Sequence, residues 1–267
     1  MNPFERIDML IGYAGIMEDN LFINQLQTLK KEIMSFVNPG TSVPSPAEKK
    51  FEYKAREKSF VYYDKEKREN VAMDLKAYLV ILETYSCIYG YSKKFNCGGY
   101  SNEVLTFDLK KEPLTVRTFK GGYEKIGLYH DIEAKVNKET QGLKLHKSIY
   151  AILVAEGKHE LINIKVSGST MGEWIEHVDK EIDTDKNVLV ISDEFLEKED
   201  NDGKKYYVPK FDSKPITDEL VTVAIEKAGV LNKYFNELKG ISEDTVDNSK
   251  GTGTPPLPEP EAEGLPF

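Results

Sequence analysis

The chain has no run of about 18 consecutive apolar residues, the length a helix needs to cross a bilayer, so a transmembrane helix is not expected. Residues 1–6 place no basic cluster ahead of an apolar stretch, so no secretory leader is expected. Cysteine is scarce: Cys87 and Cys97 are too few for a disulfide framework and fit free thiols in a reducing, cytoplasmic compartment, although two adjacent strands would let them pair. The four histidines, His130, His146, His159 and His177, stand at no metal-ligand spacing to one another or to the cysteines. No phosphate-binding glycine loop is present either, because the Gly-Thr repeat at 251–254 has no strand before it and no helix after it. The expectation is a protein without catalysis, without a metal and without a cofactor.

What is present is an uneven distribution of charge. The net charge of −9 argues against a polyanion partner for the whole chain, yet residues 49–147 carry 20 basic against 14 acidic side chains, a local +6. The last 27 residues, 241–267, carry one basic and six acidic groups. Local charge decides what approaches which face. A basic middle and an acidic end suit a protein that binds a polyanion through its body and something else through its tail.

The apolar pattern divides the chain into three parts. Residues 1–47 hold Leu21, Phe22, Leu26, Leu29, Ile33, Phe36 and Val37 at helical spacing, stopped by Asn38-Pro39-Gly40. Residues 48–240 are rich in short β-branched and aromatic runs. The segment 48–58 reads as a short charged helix or an arm, and 76–91 as one long strand with Val80, Leu82 and Ile88 inward. Further strands are expected at 104–107, 114–119, 149–154, 161–166, 187–191 and 205–209, with a hairpin about Glu156-Gly157. Helices are expected at 170–181, with Trp174 in the core, and at 216–238, where Gly229 interrupts the pattern and leaves open one helix or two pieces. Residues 241–267 lose apolar content and gain Gly, Thr, Pro and Glu, the composition of a disordered tail. The expected class is α+β, mainly antiparallel: an elaborated OB-like barrel with peripheral helices, or almost equally a generic α+β sandwich.

Two basic-aromatic clusters fall inside the net-positive segment. The first is Tyr85, Tyr89, Tyr91, Lys93, Lys94 and Phe95, where odd positions share one strand face. The second is Arg117, Phe119, Lys120, Tyr123, Lys125 and Tyr129, with Gly121-Gly122 freeing the intervening loop. Aromatic faces beside cations are what a single strand of nucleic acid needs, bases stacking while cations follow phosphates. The competing reading of each is structural: tyrosines packed under a helix, or an ordinary strand end. The acidic residues Asp183, Asp185, Asp193, Glu194 and Asp200 supply material for a metal-dependent nuclease, but their turns and lysine neighbours read as a solvated face.

The sequence ends Glu259, Glu261, Glu263, then Leu265-Pro266-Phe267. Large apolar residues closing an acidic tail form a docking peptide: a ring for a pocket, a carboxylate for a basic rim. This ending resembles the C-terminal tip of bacterial and phage single-stranded DNA-binding proteins, with Leu where the bacterial pattern has Ile and Gly264 interposed. The resemblance covers roughly the last 10–25 residues and implies a phage-type single-stranded DNA-binding protein of replication, recombination and repair, in a bacterial or phage-infected cytoplasm. It implies that Leu265, Pro266 and Phe267 dock on replication and repair proteins, with Glu261 and Glu263 on basic rims. The alternative is a replisome adaptor without DNA affinity, in which Tyr85, Tyr89 and Tyr91 form a protein surface.

Overall fold

The computed structural model describes residues 43–239. The helix expected at 18–37 and the tail with its tip, Glu261 to Phe267, lie outside the described residues. The strands are β1 (Lys49–Lys54), β2 (Ser59–Asp64), β3 (Glu69–Ala72), β4 (Tyr78–Ser92), β5 (Cys97–Ser101), β6 (Val104–Leu105), β7 (Leu114–Thr118), β8 (Glu124–Gly127), β9 (Lys144–Ala155), β10 (Lys158–Val166), β11 (Asn187–Glu199) and β12 (Lys205–Pro215). Helix α1 (Tyr129–Thr140) precedes β9 and α3 (Asp218–Lys239) follows β12. Between β10 and β11, α2 (Gly168–Glu173) runs on through a π-helical turn, Trp174–Val178, into a last turn, Asp179–Glu181.

The fold is α+β and mostly antiparallel. The strand path is β3-β2-β1-β10-β9-β4-β5-β7-β8, with β1 and β10 parallel. β4 is the spine. One edge pairs along most of its length with β9, and the other receives β11 at its start, β6 in its middle and β5 at its end. The path is unclosed: among the described residues no pairing joins β3 to β8. The expected hairpin is β9–β10, whose turn uses Glu156 at φ 49° and Gly157 at φ 74°, as a two-residue turn between twisted strands requires.

Both faces of the sheet are covered. Trp174 and Val178, in the π-helical turn that continues α2, join one core cluster with Phe51, Phe60, Ile149, Ala151, Ile164 and Phe211. The buried Lys147 on β9 anchors that helix through Asp179 at 2.5 Å. On the opposite face α3 lays Leu231 and Phe235 against Tyr85 and Tyr150, and Val223 and Ala224 near Val80 and Ile152. Cys87 and Cys97 are both buried and free. No helix among the described residues is long and apolar enough to cross a membrane.

Three expectations need correction. Residues 48–58 form neither a helix nor an arm: they hold β1 and the turn into β2. Phe51 points into the core, and pairing with β10 overrides the charged composition. Helix α1 was not foreseen, because only Ile132, Val136 and Thr140 form its buried stripe in a charged stretch. The third concerns the phase of β4. Its register against β9 shifts between Ile81 and Glu83, so one extra residue sits in the strand. A bulge flips every later side chain to the other face. Val80 pairs with Ile152 and Tyr85 with Ser148, both even positions of β9. Val80 therefore shares a face with Tyr85 and not with Ile88, which enters a separate core with Val104, Leu114, Val116 and Leu143.

Candidate functional site

Strand pairing brings side chains from five strands onto the α3 face. Cα partners run Lys50 to Asn163 and Glu52 to Lys165 across β1–β10, then Asn163 to Tyr150 and Lys165 to Ser148 across β10–β9. They continue from Ser148 to Tyr85 on β4 and from Tyr89 to Tyr100 on β5. Directly paired residues share a face, so Lys50, Glu52, Asn163, Lys165, Tyr89 and Tyr100 look the same way. They line a cavity of about 420 Å³, walled by Glu103, Phe119 and the last turns of α3 with Tyr234 and Phe235. That volume is within the ~300–1,000 Å³ typical of small-ligand sites.

The aromatic wall is partly paired within itself. Phe119 lies on Tyr100 with ring centres 4.9 Å apart and planes 29° from parallel, and it is 65% exposed. Gly98 makes this possible, since a Cβ there would meet the Phe119 ring at 2.6 Å. Tyr89 carries the Lys165 ammonium 4.5 Å from its ring centre.

A polar network forms the floor. Glu103 accepts hydrogen bonds from Ser148 Oγ at 2.6 Å and Tyr150 OH at 2.8 Å, and stands 3.6 Å from Lys165 Nζ. Burial works to lower the Lys165 ammonium, but Cys87, Glu103 and Tyr89 together raise it above the ordinary lysine value. The Cys87 thiol is itself pushed up to about 12 by burial. Lys50, exposed on β1, goes the other way: partial desolvation beside the cavity, then the like charge of Lys165, lowers it. It forms no ion pair among the described residues. His146, edge-on to Tyr89 at 5.6 Å, is lowered by burial to about 4 and is neutral at physiological pH.

The residues singled out from sequence divide into three groups. Tyr89 and Phe119 line the cavity. Tyr85 does not: it is 5% exposed and stacked on Phe235 at 4.1 Å, so it serves the core beneath α3. Of the rest, Lys93, Lys94, Phe95, Lys120 and Tyr123 lie on two neighbouring turns, and Tyr91, Arg117, Lys125 and Tyr129 on the elements beside them. Lys93 and Lys94 are exposed at the β4–β5 turn, and Lys120 is exposed at the β7–β8 turn. Phe95 and Tyr123 join the two turns with ring centres 5.5 Å apart. Tyr91, 54% exposed, hydrogen-bonds Asn96. Arg117 is held by Glu124 at 2.6 Å. Tyr123 donates to Glu139 at 3.0 Å, Tyr129 begins α1 half-buried, and Lys125 is half-buried on β8. Sequence reading missed Lys50, Tyr100, Glu103, Asn163 and Lys165. A signal existed for two of them. In β10, Asn163 and Lys165 alternate with Ile162, Ile164 and Val166, the mark of a polar strand face.

Among the described residues no group of three or more His, Cys, Asp or Glu is placed to hold a metal ion. Asp183 pairs with Lys186 at 2.8 Å and Glu194 with Lys210 at 2.8 Å, each carboxyl held below its usual range by that lysine. Comparison with protein-family models, with curated proteins and with solved structures returned no match.

Proposed function

We propose that the protein binds single-stranded DNA without catalysis, and that its C-terminal tip recruits replication and repair proteins. One observation carries this reading: Tyr89, Tyr100 and Phe119 line one cavity with Lys50 and Lys165, and Lys93, Lys94 and Lys120 are exposed on the β4–β5 and β7–β8 turns. Stacking supplies roughly 1–3 kcal/mol per base and is indifferent to sequence, while the lysines follow the phosphates. The OB-like barrel expected from the strand count belongs to this proposal as well, although stacking needs only one strand face and no closed rim. The tip's role, and the parts of Glu261, Glu263, Leu265, Pro266 and Phe267 in it, rest on the resemblance. The acidic residues between 183 and 200 lend no support to a nuclease, since two of them are already neutralised by lysine.

The test is fluorescence anisotropy of the full chain with a labelled oligonucleotide of about 30 nucleotides, longer than one ~4–16-nucleotide footprint. Binding should weaken steadily as salt rises, with log K falling by ~0.7 per neutralised phosphate for each unit of log salt. Absence of binding at low salt, or binding indifferent to salt, removes the proposal. Absence of binding together with capture of a partner through the tip returns the adaptor reading.

A further inference from the structure

The cavity floor contains an atom that general strand binding leaves unused. Asn163 is 1% exposed, lines the cavity, and its Oδ1 has no hydrogen-bond partner among the described residues. Its neighbours settle which way the amide points. Ser148 Oγ gives its proton to Glu103 at 2.6 Å, so it can only accept from Asn163. Nδ2 therefore faces Ser148 Oγ at 2.8 Å, with the Ile149 carbonyl at 3.4 Å, and Oδ1, sealed from solvent, is left without a donor, so a ligand reaches it as the side chain turns toward the cavity. Buried polar atoms are normally satisfied, and one that is not points to a missing partner.

The surroundings define that partner. Glu52 and Glu103 add carboxylate acceptors to the same cavity. Lys50, the Cα partner of Asn163 across the parallel β1–β10 pair, is a cation without an ion pair among the described residues. The Tyr89 and Phe119 rings line the same cavity. An acceptor-rich floor, a flat aromatic wall and the Lys50 ammonium match a planar ring bearing N–H groups and joined to an anion.

We propose that the cavity takes one nucleotide of the bound strand, its base giving an amino N–H to Asn163 Oδ1 and its phosphate meeting Lys50. This rests on the single-strand reading above and adds a preference to it. Adenine, cytosine and guanine each carry an exocyclic amine. Thymine and uracil offer one N–H flanked by two carbonyl oxygens, which would face the Glu52 and Glu103 carboxylates. A site built to hydrogen-bond an exocyclic amine disfavours a base with a carbonyl oxygen at that position, because its own buried acceptor is left unpaired.

The experiment is ligand-observed saturation-transfer NMR on the full chain with deoxycytidine monophosphate and thymidine monophosphate, alongside the oligonucleotide titration. Deoxycytidine monophosphate should bind about tenfold more tightly than thymidine monophosphate, the effect of one buried hydrogen bond. N163L should erase the difference. K50M should keep the base preference but remove the advantage of deoxycytidine monophosphate over deoxycytidine, and it carries the test should N163L fail to fold. Equal binding of the two mononucleotides, or a preference surviving N163L, overturns the inference. If oligonucleotides bind and the preference is absent, the inference falls and the single-strand reading stands. If the preference is present and oligonucleotides do not bind, the single-strand reading falls and the nucleotide pocket stands.

Discussion

Tyr85 and Tyr91 stand on the same face of β4, six residues apart, and have opposite surroundings. Tyr85 is sealed between Phe235 and Tyr150 beneath α3, while Tyr91 is 54% exposed past the end of that helix. Tyr89, between them, is half-buried at the cavity. The strand supplies three similar residues at one spacing, and the helix that crosses it decides which becomes core, which becomes wall and which stays in water. A row of tyrosines is thus a row of candidates, and the number available to a ligand depends on where the cover stops.

The largest effects should come from the sealed end. F235A removes the ring stacked on Tyr85 and should lower unfolding free energy by about 3–5 kcal/mol, read by urea denaturation. Where the variant remains folded, its oligonucleotide affinity should change far less than its stability. The open end should behave in reverse. F119A should weaken oligonucleotide binding by roughly 1–3 kcal/mol in an anisotropy titration. Its stability should stay within about 0.5 kcal/mol, as for an exposed side chain. G98A should imitate F119A, because its new Cβ displaces the exposed ring and no backbone. If F119A unfolds the protein, or F235A abolishes binding while folded, the contrast between the two ends is broken.

Charge effects should be smaller and depend on salt. Replacing Lys93, Lys94 and Lys120 with Gln should flatten the salt dependence of binding, by ~0.7 in log–log slope for each phosphate that is no longer neutralised. The last effect concerns pH. His146 binds its proton at about 4 in the folded protein against 6.5 when unfolded, so the unfolded chain holds more protons between those values. Stability should therefore fall as pH drops from 6.5 towards 4. H146F should lose that part of the slope, seen as the difference between wild-type and variant urea midpoints across the range.

Much of the fold was legible because its strands announce themselves locally. The apolar runs of β9 and β10, the Glu156-Gly157 turn, Trp174 on its helix and the apolar spacing of α3 are short-range patterns that survive in the folded protein. The β1 strand was misread because its charges speak for solvent, while its one buried side chain, Phe51, is stabilised by strands more than a hundred residues away. The β4 bulge was invisible because nothing in residues 80–83 demands it: it is set by register against β9 on one edge and by β11, β6 and β5 on the other.

By itself the sequence determined the chemistry available: a basic, tyrosine-rich middle, strands of alternating polarity and an acidic end. These follow from composition and spacing, which tertiary packing does not alter. Only the tertiary structure decided which of those residues meet. Lys50, Asn163, Lys165 and Tyr89 come from three separate strands and converge because parallel pairing of β1 with β10 and a one-residue bulge in β4 turn them to the same side. Long-range pairing fixes such convergence, and α3, closing over part of that face, leaves a cavity where β4 alone would offer an open row of rings.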